Sequence, residues 1–508
     1  MRSAATGALL EALRRRGLER VWIGGRVPRA AARDFGRIVT RRPAAVVETR
    51  GEEEAQAVLD AARECATPVA MRGAGHSIAG QTTSAGGIVL RHRPPGGQPA
   101  VRLLDGDRIE VAAGCRWRDV ERALWRAGRS VPVLADYLEL TVGGTLSVGG
   151  YGADSVRHGA QVHQVESVRL ILPEGGAVWC SRDENAELFR YSLAGLGQIG
   201  IIDRVVLRTA PRRRFVGLFA REHRSLAELV DSLAWMADDA GAVPQLEGRH
   251  EPGAEPRAQP PAFFKALASR GRFRSIYGVY ADDVGSARSP PEMPASCRRA
   301  VGRPLVLPAY RELRSAAVAV WVARFPAHRR LWSDFLLDAR GLAAFAAQVE
   351  ALESSGAFAR CLRSVYIVAV RQPDDGFRFP FEAASGVPGS LVFGVGLYAM
   401  VPPGGAAALA LLRRTLRSCL EACVELGGRP YLYGWHELDS RQRSRLYGGS
   451  IEELREIKRR VDPQGLLPAP LLGTGEGGAG ASAPAGGPAR EAIEDAGVRR
   501  AGAAVGPR

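Results

Sequence analysis

The chain has 508 residues, of which 46% are hydrophobic and 24% charged, and its formal net charge is +15. This length exceeds the usual domain size of about 100–200 residues and predicts a globular protein with two domains. No segment approaches the roughly 20 consecutive apolar residues of a transmembrane helix, and the start of the chain lacks the long apolar run of a secretory signal. We therefore expect a cytoplasmic protein with no membrane partner.

Arginine carries almost all of the positive charge, since Lys265 and Lys458 are the only lysines. The arginines are dispersed and are not interleaved with aromatic residues, which argues against a nucleic-acid partner. The seven cysteines are scattered, and no Cys/His set has the spacing of a zinc site. We expect no metal.

Residues 1–41 are predicted to form a basic helical lead-in, and short β-rich runs alternate with helical ones over residues 42–211. Glu52, Glu53 and Glu54 suit a helix N-terminus because their charge opposes the positive end of the helix dipole. Val69–Met71 is predicted to be a short strand that leads into a glycine-rich loop.

The pattern changes over residues 212–430, where long helical stretches and strand-like runs indicate an α+β cap. Helices are predicted over 225–240, 341–354 and 406–426, strands over 317–324, 364–370 and 391–400, and a proline-rich loop over 251–261. Residues 431–473 are expected to return to the first domain. The Gly/Ala/Pro-rich tail 474–508 cannot bury enough apolar area to offset its ordering entropy and is predicted to be disordered.

The first segment suited to ligand binding is RGAGHS at residues 72–77, followed by Gly-Gln at 80–81. Glycines at 73 and 75 allow the main chain to approach a ligand closely and to adopt positive φ. Successive N–H groups in such a turn form a nest for an anion such as pyrophosphate. His76 would be held against the ligand by the backbone; the alternative is a glycine-rich turn with an incidental histidine.

The second segment joins Asp136-Tyr137-Leu138 to the run TVGGTLSVGGYG at residues 141–152. So many small residues favour neither helix nor strand, and they predict a backbone-lined wall against a flat or charged ligand, with Thr and Ser hydroxyls as donors. A surface linker is the alternative, but it gives no reason for the branched residues Val142, Leu146 and Val148.

The third segment, GLGQIG at residues 195–200, matches the dinucleotide pattern G-x-G-x-x-G. That pattern requires a strand before it and a helix after it. Here a helix is predicted before it, over 184–193, and a strand after it, over 201–208. We therefore expect no Rossmann NAD site, and the chain has no phosphate loop of the NTPases.

Five blocks occur in order within residues 42–211: RGAGHS with GQ, DYLELTVGGTLSVGGYG, RHGAQVHQVESVRLILPEG, CSRDENAELF and LAGLGQIGIIDRVVLRTAP. They resemble the FAD-linked oxidase family whose flavin domain is named for p-cresol methylhydroxylase, and within it most closely the cytokinin dehydrogenases. The resemblance implies a two-domain α+β flavoprotein, with an FAD-binding domain of that type over 1–211 (core 42–211) and a substrate-binding cap over 212–430.

In that family the histidine of the first block is bonded to the 8α-methyl group of the flavin, which implies covalent FAD at His76. The attacking imidazole must be neutral. The related berberine-bridge-like enzymes add a cysteine–flavin bond, but Glu139 and Leu140 stand in that region, so we expect a single link. The resemblance implies further FAD-binding residues: Met71, Gly73, Ala74, Gly75, Ser77, Gln81, Asp136, Thr141, Ser147, Tyr151 and Ile202.

Asp136 matches the carboxylate that cytokinin dehydrogenases place opposite the flavin, where it accepts the substrate N–H bond and takes the proton. A base must lie within about 2.6–3.2 Å of that proton. Alternatively, Asp136 caps a turn before Tyr137. Glu247 resembles a second acidic residue of the substrate pocket, or is an ordinary surface glutamate. His158 is expected to be structural, and the role of His436 stays open.

Three departures from the family leave the substrate open: Ala469-Pro470-Leu471 replaces P-G-Q, Trp435 replaces a tyrosine, and Arg91-His92 replaces an acidic and apolar pair. The first hypothesis is oxidation of a secondary allylic amine of the N6-isopentenyladenine type by hydride transfer to flavin N5, giving adenine and an aldehyde. The second is an FAD-linked oxidase of an alcohol, sugar or natural-product intermediate. The third is a basic nucleic-acid or scaffold protein with a vestigial flavin fold. The enzyme hypotheses imply a small-molecule substrate, dioxygen or a quinone as electron acceptor, and a monomer or homodimer.

Overall fold

The structure is a computed structural model. It describes residues 2–94, 96, 100–238, 245–250, 273–289, 304–308, 310–353, 356–372, 379 and 390–472. The predicted proline-rich loop 251–261 and the predicted disordered tail 474–508 lie outside these residues.

The helices are α1 (Arg2–Arg15), α2 (Glu52–Glu64), α3 (Trp117–Trp125), α4 (Val142–Leu146), α5 (Ser155–His158), α6 (Ala186–Ser192), α7 (Leu226–Asp238), α8 (Val284–Arg288), α9 (Tyr310–Ala323), α10 (Ala339–Glu353), α11 (Gly356–Cys361), α12 (Ala406–Glu425) and α13 (Ser440–Val461). Short 3₁₀ turns cover Gly24–Arg26, Arg29–Ala32 and Gln161–Gln164.

The strands of the first 211 residues are β1 (Val21–Ile23), β2 (Ala45–Arg50), β3 (Val69–Met71), β4 (Ile88–Arg93), β5 (Val101–Leu103), β6 (Arg108–Ala112), β7 (Arg129–Ser130), β8 (Val165–Ile171), β9 (Ala177–Ser181), β10 (Ile201–Arg208) and β11 (Ala210–Pro211). Those that follow are β12 (Phe215–His223), β13 (Gln245–His250), β14 (Phe273–Ala281), β15 (Leu305–Pro308), β16 (Arg329–Leu337), β17 (Leu362–Arg371), β18 (Leu391–Val401) and β19 (Arg429–Tyr431).

The first sheet has the order β1-β2-β4-β3, with β2, β4 and β3 parallel. Parallel neighbours need a crossover, and α2 supplies it between β2 and β3. The predicted acidic helix start is confirmed, since α2 begins at Glu52. Its apolar face, including Val58 and Leu59, is fully buried together with Leu13 of α1. The predicted strand Val69–Met71 is also confirmed, and it places the glycine-rich loop at the carboxyl end of β3.

The second sheet is antiparallel, with the order β5-β6-β10-β8-β9. A side-chain contact joins it to the first sheet, because His92 Nε2 on β4 lies 2.9 Å from Asp203 Oδ1 on β10. Within the second sheet, Asp203 Oδ2 also accepts from Arg169 of β8 at 2.8 Å. His92, one of the departures from the family, is therefore a connection between two sheets. Helix α6 precedes residues 195–200 and β10 follows them, which confirms the order opposite to a Rossmann site.

The third large sheet is antiparallel and has eight strands in the order β15-β12-β14-β13-β17-β18-β16-β19. Successive side chains of a strand point to opposite faces. On β16, Phe335 packs against Phe345 of α10 with ring centroids 5.1 Å apart. Trp332 and Asp334, on the other face, contact residues of the first domain. We call this second face the inner face of the large sheet.

The predicted strand over 317–324 is wrong, because residues 317–323 belong to helix α9 and Arg324 lies in the turn after it. Residues 317–320 alternate small and large apolar side chains, as a strand would. The helical periodicity is instead visible in the polar residues that precede them on α9. Arg311, Arg314 and Ser315 lie at the i, i+3 and i+4 positions that share one helix face. All three contact the first domain.

Residues 141–152 were also expected to be irregular, yet Val142–Leu146 is helical. The glycine at 143 permits this packing, because a Cβ there would lie 2.9 Å from the Cβ of Ala113. The lead-in is helical only over Arg2–Arg15 and continues as β1 and two 3₁₀ turns. The other predicted helices and strands of residues 212–430 are confirmed within a few residues.

The segment after β19 contacts the first domain through α13. The buried ammonium of Lys458 donates to the carbonyl oxygens of Gln198 at 3.0 Å and Leu467 at 2.9 Å, and it pairs with Asp462. The backbone N–H of Leu471 donates to Gln198 Oε1 at 3.3 Å. The residues that replace the family's P-G-Q are thus held against the GLGQIG block.

Candidate functional site

The loop at residues 72–77 needs its glycines. Gly75 has φ of +74°, a left-handed conformation that side chains rarely adopt. Gly73 has another reason, since a Cβ there would lie 2.1 Å from Oγ1 of Thr141. The loop and the start of α4 therefore lie in direct contact, which brings the first and second predicted ligand-binding segments together.

His76 is held among aromatic rings. Its imidazole stacks on Phe35 with centroids 3.8 Å apart, and it lies 5.2 Å from the ring of Tyr137 and 6.0 Å from that of Trp332. The His76 side chain is partly exposed, but its Nε2 atom is buried without a hydrogen-bond partner. Burial, assisted by the charge of Arg330, lowers the pKa of His76 to about 3, so the ring is neutral at physiological pH.

Several buried polar atoms around His76 have no hydrogen-bond partner. Besides His76 Nε2, they are Thr141 Oγ1, Trp332 Nε1 and Asp334 Oδ2. Buried polar groups are normally satisfied, and exceptions mark a site for an additional polar group. These donors and acceptors, together with the exposed backbone of Gly73 and Ala74, fit a large polar cofactor such as FAD.

The remaining residues predicted to bind FAD lie on β3, on the loop after it, just past α4 and on β10. Met71 ends β3, and Ile202 is buried on β10. Ser77 Oγ lies 3.4 Å from Thr82 Oγ1. Gln81 Oε1 accepts from the N–H of Ala79 at 3.0 Å. Ser147, just past α4, donates its hydroxyl to the carbonyl of the residue at 143 at 2.7 Å.

The inner face of the large sheet forms a wall opposite the His76 loop. Residues paired across strands share a face, so the registers Trp332↔Tyr398, Asp334↔Gly396, Tyr366↔Gly396 and Arg249↔Tyr366 define it. Two glycines make room on this wall. A Cβ at Gly394 would lie 2.9 Å from the ring of Tyr151, and one at Gly396 would lie 2.6 Å from Asp334 Oδ1.

Asp136 and Glu247 are brought together by an arginine. Arg314 of α9 donates to Asp136 Oδ2 at 2.6 Å and also bonds Glu247 and the hydroxyl of Tyr366. Arg249, the neighbour of Glu247 on β13, donates to Glu247 Oε1 at 3.1 Å. Burial raises the pKa of Glu247, but the charges of Arg249 and Arg314 outweigh it and lower that pKa to about 2.

Asp334 is a third carboxyl group on the wall, and it has tyrosine neighbours. Its Oδ1 atom accepts from Tyr398 at 3.2 Å and from Tyr151 at 3.4 Å. Burial raises the pKa of Asp334 to about 7 against these two hydrogen bonds, which lower it. Glu247 and Asp334 therefore differ sharply in their readiness to hold a proton.

Neither additional histidine joins the His76 cluster. His158 ends α5, and burial lowers its pKa. His436 donates from Nε2 to the carbonyl of Tyr431 at 2.9 Å, and its ring packs against Phe335 on the helix-covered face of the sheet. Burial lowers the pKa of His436 to about 4. Trp435 donates its backbone N–H to the carbonyl of Trp332 at 2.6 Å.

Sequence reasoning missed Phe35, Arg314, Trp332 and Asp334. Phe35 lies in the lead-in, and its N–H donates to the carbonyl of Ser77 at 2.8 Å. Arg314 could have been found from the spacing of polar residues on α9. Trp332 and Asp334 could have been suspected as alternate residues of one strand, although their partners depend on the sheet register.

Within the described residues, no helix is long and apolar enough to cross a bilayer. In the same part of the chain, no three His, Cys, Asp or Glu side chains are grouped as metal ligands would be.

Comparison with known proteins matches residues 43–181 to a family described as an FAD binding domain. Cytokinin dehydrogenase 4 of Oryza sativa subsp. japonica is 38% identical over 193 residues, which cover 36% of each chain. Cytokinin dehydrogenase 2 of Arabidopsis thaliana is 36% identical over 225 residues, covering 43% of this chain and 44% of the relative. An uncharacterised oxidoreductase, ORF5 in the fasciation locus of Rhodococcoides fascians, is 35% identical over 197 residues, covering 39% and 44%. The match thus spans less than half the length of each of these relatives.

Proposed function

We propose that this chain, which carries an FAD-binding domain of the p-cresol methylhydroxylase type and is similar to cytokinin dehydrogenases, is an FAD-dependent oxidoreductase. The observation that carries the proposal is the placement of His76. Its neutral ring and unpartnered Nε2 lie in the glycine loop of the matched domain, facing the wall of the large sheet. A nucleic-acid or scaffold function would leave this arrangement unexplained.

We further propose that His76 bonds FAD covalently. A neutral imidazole has the free lone pair that attack on the flavin methyl group requires. Phe35 fixes the ring by stacking, and the left-handed turn at Gly75 fixes the backbone. The loop around Gly73, with Thr141 beside it, would bind the rest of the cofactor, and FAD would supply the acceptor for a hydride.

The test of this attachment is mass spectrometry of the peptide that contains His76, together with acid precipitation of the yellow protein. We expect a flavin adduct on His76 in the natural chain and colour that stays with the precipitate. A His76→Ala variant should bind FAD only reversibly, whereas His158→Ala should keep the adduct. A colourless natural protein without the adduct would refute the proposal.

The first substrate proposal is a secondary allylic amine of the N6-isopentenyladenine type, giving adenine and an aldehyde after hydrolysis of the imine. It is supported by the similarity to cytokinin dehydrogenases and by Asp136, whose carboxylate is oriented by Arg314 and can accept a hydrogen bond from a substrate N–H. Anaerobic mixing with isopentenyladenine should bleach the flavin, and Asp136→Asn should slow that bleaching.

The second candidate is oxidation of an alcohol, sugar or natural-product intermediate. The polar character of the wall favours it, because Arg249, Tyr366 and Asp334 offer more hydrogen-bonding groups than an isoprenoid chain can use. Bleaching by a panel of alcohols and sugars, but by no N6-alkenyl purine, would select this candidate.

The acceptor of the electrons, by the same similarity, is dioxygen or a quinone, and we propose a cytoplasmic monomer or homodimer. Reoxidation of the bleached enzyme in air-saturated buffer, compared with reoxidation by a soluble quinone without oxygen, distinguishes the acceptors. Light scattering of the purified protein measures the oligomeric state.

A further inference from the structure

Asp334 has the properties of a ligand-binding group that sequence reasoning did not single out. It is 2% exposed, and its Oδ2 atom is buried without a hydrogen-bond partner. Its Oδ1 atom is occupied by the hydroxyls of Tyr151 and Tyr398. Within the described part of the chain, no arginine, lysine or histidine pairs with it. A buried carboxyl oxygen left open in this way costs free energy unless a ligand uses it.

The position of Asp334 ties it to the proposed FAD site. It accepts a hydrogen bond from Tyr151, which the sequence predicts to contact the flavin. It also lies two residues from Trp332, whose ring is near that of His76. Tyr366 lies between the two polar parts of the wall, since it pairs with Gly396 opposite Asp334 and accepts from Arg314. The inner face of the large sheet thus borders two kinds of carboxyl group. Asp136 and Glu247 are bound by Arg314, whereas Asp334 is paired with no cation among the described residues.

These two environments suit different tasks. Groups whose surroundings push their pKa values apart are the usual acid and base of a catalytic site. Arg314 occupies Oδ2 of Asp136 and binds Glu247, so protonation of either carboxylate would break an ion pair. Asp334 can gain or lose a proton without breaking one, and its pKa of about 7 matches neutral pH.

We propose that Asp334, rather than Asp136, takes the proton from the nitrogen or oxygen at the carbon that is oxidised, while Asp136 and Glu247 with their arginines orient the substrate through its other polar groups. This inference rests on the proposed oxidoreductase function. The substrate C–H bond breaks and its electron pair leaves as a hydride, which oxidised FAD accepts. The N–H or O–H proton passes to Oδ2 of Asp334, a C=N or C=O bond forms, and the carboxylic acid later returns the proton to water.

The pH dependence that this proposal predicts comes from the titration of Asp334. Among the described residues, the titratable groups around Asp334 are tyrosines: Tyr151 and Tyr398 hydrogen-bond to it, Tyr431 and Tyr433 lie near it, and Tyr366 lies two strands away on the same face. Burial raises the pKa of each of them above 10, so none titrates near neutrality. A base acts in its ionised form, so flavin reduction should slow as the pH falls through the pKa of Asp334, near 7.

The first experiment is infrared titration of the FAD-loaded enzyme without substrate. A protonated carboxyl band should disappear as the pH rises through about 7 and should be missing from Asp334→Asn. It should persist in Asp231→Asn, which changes an exposed aspartate of α7. If no band assigned by Asp334→Asn titrates between pH 6 and 8, roughly one unit around the stated pKa, the proposal is overturned.

The second experiment measures the pH dependence of flavin reduction by isopentenyladenine, or by whichever alcohol reduces the enzyme. Asp334→Asn should lower the rate about 100-fold or more and remove the acidic limb of the profile. Tyr398→Phe deletes a hydrogen bond that lowers the pKa of Asp334, so the limb should move to higher pH.

An unchanged rate and profile in Asp334→Asn would overturn the role of Asp334. If the acidic limb of the pH profile does not move in Tyr398→Phe, the role of Asp334 is also overturned. This second test does not require that Asp334→Asn folds. Failure of isopentenyladenine alone refutes only the amine substrate, because the infrared titration needs no substrate.

Discussion

Burial shifts the pKa values of two side chains of the candidate site, His76 and Asp334, in favour of their neutral forms. Burial lowers the pKa of a base and raises that of an acid, so the same physical cause acts on both in opposite directions. His76 stays neutral at every pH at which the enzyme would work, because its pKa is about 3. Asp334, with a pKa of about 7, changes its charge within the physiological range and links the stability of the fold to pH.

Asp334→Asn should remove part of the pH dependence of unfolding. Between pH 4 and 7, about the unfolded and folded pKa values of Asp334, the folded protein holds a proton that the unfolded chain releases. The stability of the natural chain should therefore fall as pH rises through that window, by on the order of 4 kcal/mol at most. Urea unfolding of the FAD-free protein at pH 5 and 8 measures the part of this difference above pH 5, about 3 kcal/mol at most.

The variant should lose less stability than the natural chain between these two pH values. The exposed Asp231→Asn is the matched control and should keep the natural dependence. Equal losses in the natural chain and in Asp334→Asn would contradict the assigned burial.

Helix α9 joins the two domains through polar contacts on one face. Arg311 donates to the carbonyl of Val131 at 2.7 Å and to Asp154 at 3.1 Å, and Ser315 accepts from the N–H of Leu138 at 2.9 Å. Arg314, between them, bonds Asp136. The same helix therefore contacts the first domain and also positions Arg314 beside Asp136 and Glu247.

Replacing Arg314 with Met should destabilise the protein by about 3 kcal/mol, the lower end of the cost of breaking a buried ion pair, because Glu247 keeps Arg249 while Asp136 loses its shorter ionic contact. The exposed Arg324→Met, in the turn after α9, should have little effect. Adding Glu247→Gln to Arg314→Met should recover part of the loss, since a neutral amide costs less to bury than an unpaired charge. Urea unfolding of the natural chain, Arg314→Met, Glu247→Gln and the double variant measures the coupling between the two side chains. Strictly additive losses of stability would contradict that coupling.

Local patterns explain what the sequence predicted well. The strand Val69–Met71, the acidic start of α2 and the order of helix and strand around residues 195–200 depend on neighbours in the chain. Helix α9 was mistaken for a strand because only its apolar residues were weighed. Phe35 and Asp334 could not be predicted, since their contacts arise from the docking of distant segments.

At the scale of the whole molecule, the chain returns from the large sheet to the first domain along α13. Lys458, the single lysine among the described residues, bonds Gln198, Leu467 and Asp462 in a buried position. A buried ammonium can be retained only when its donors are satisfied, and here each has an acceptor. This buried contact attaches the C-terminal segment to the first domain.

Lys458→Met should cost roughly 3–5 kcal/mol, since Asp462 would be left buried without its cation. Arg459→Met is the matched control, because this neighbouring cation is 74% exposed and a surface pair contributes little. Thermal unfolding should separate the two variants clearly. If Lys458→Met unfolds at the temperature of the natural chain, the contact does not hold the molecule together.

The alternation of faces along β16 and β18 has a consequence for how such proteins diversify. Odd-numbered residues of β16, such as Phe335, pack against the helical layer, while Trp332 and Asp334 lie on the inner face, where the proposed chemistry would take place. Substitutions at every second position can therefore change chemistry without disturbing the hydrophobic layer behind it. A one-residue deletion would exchange the two sets and damage both, so lineages built on this sheet should vary by replacement and keep the length of these strands.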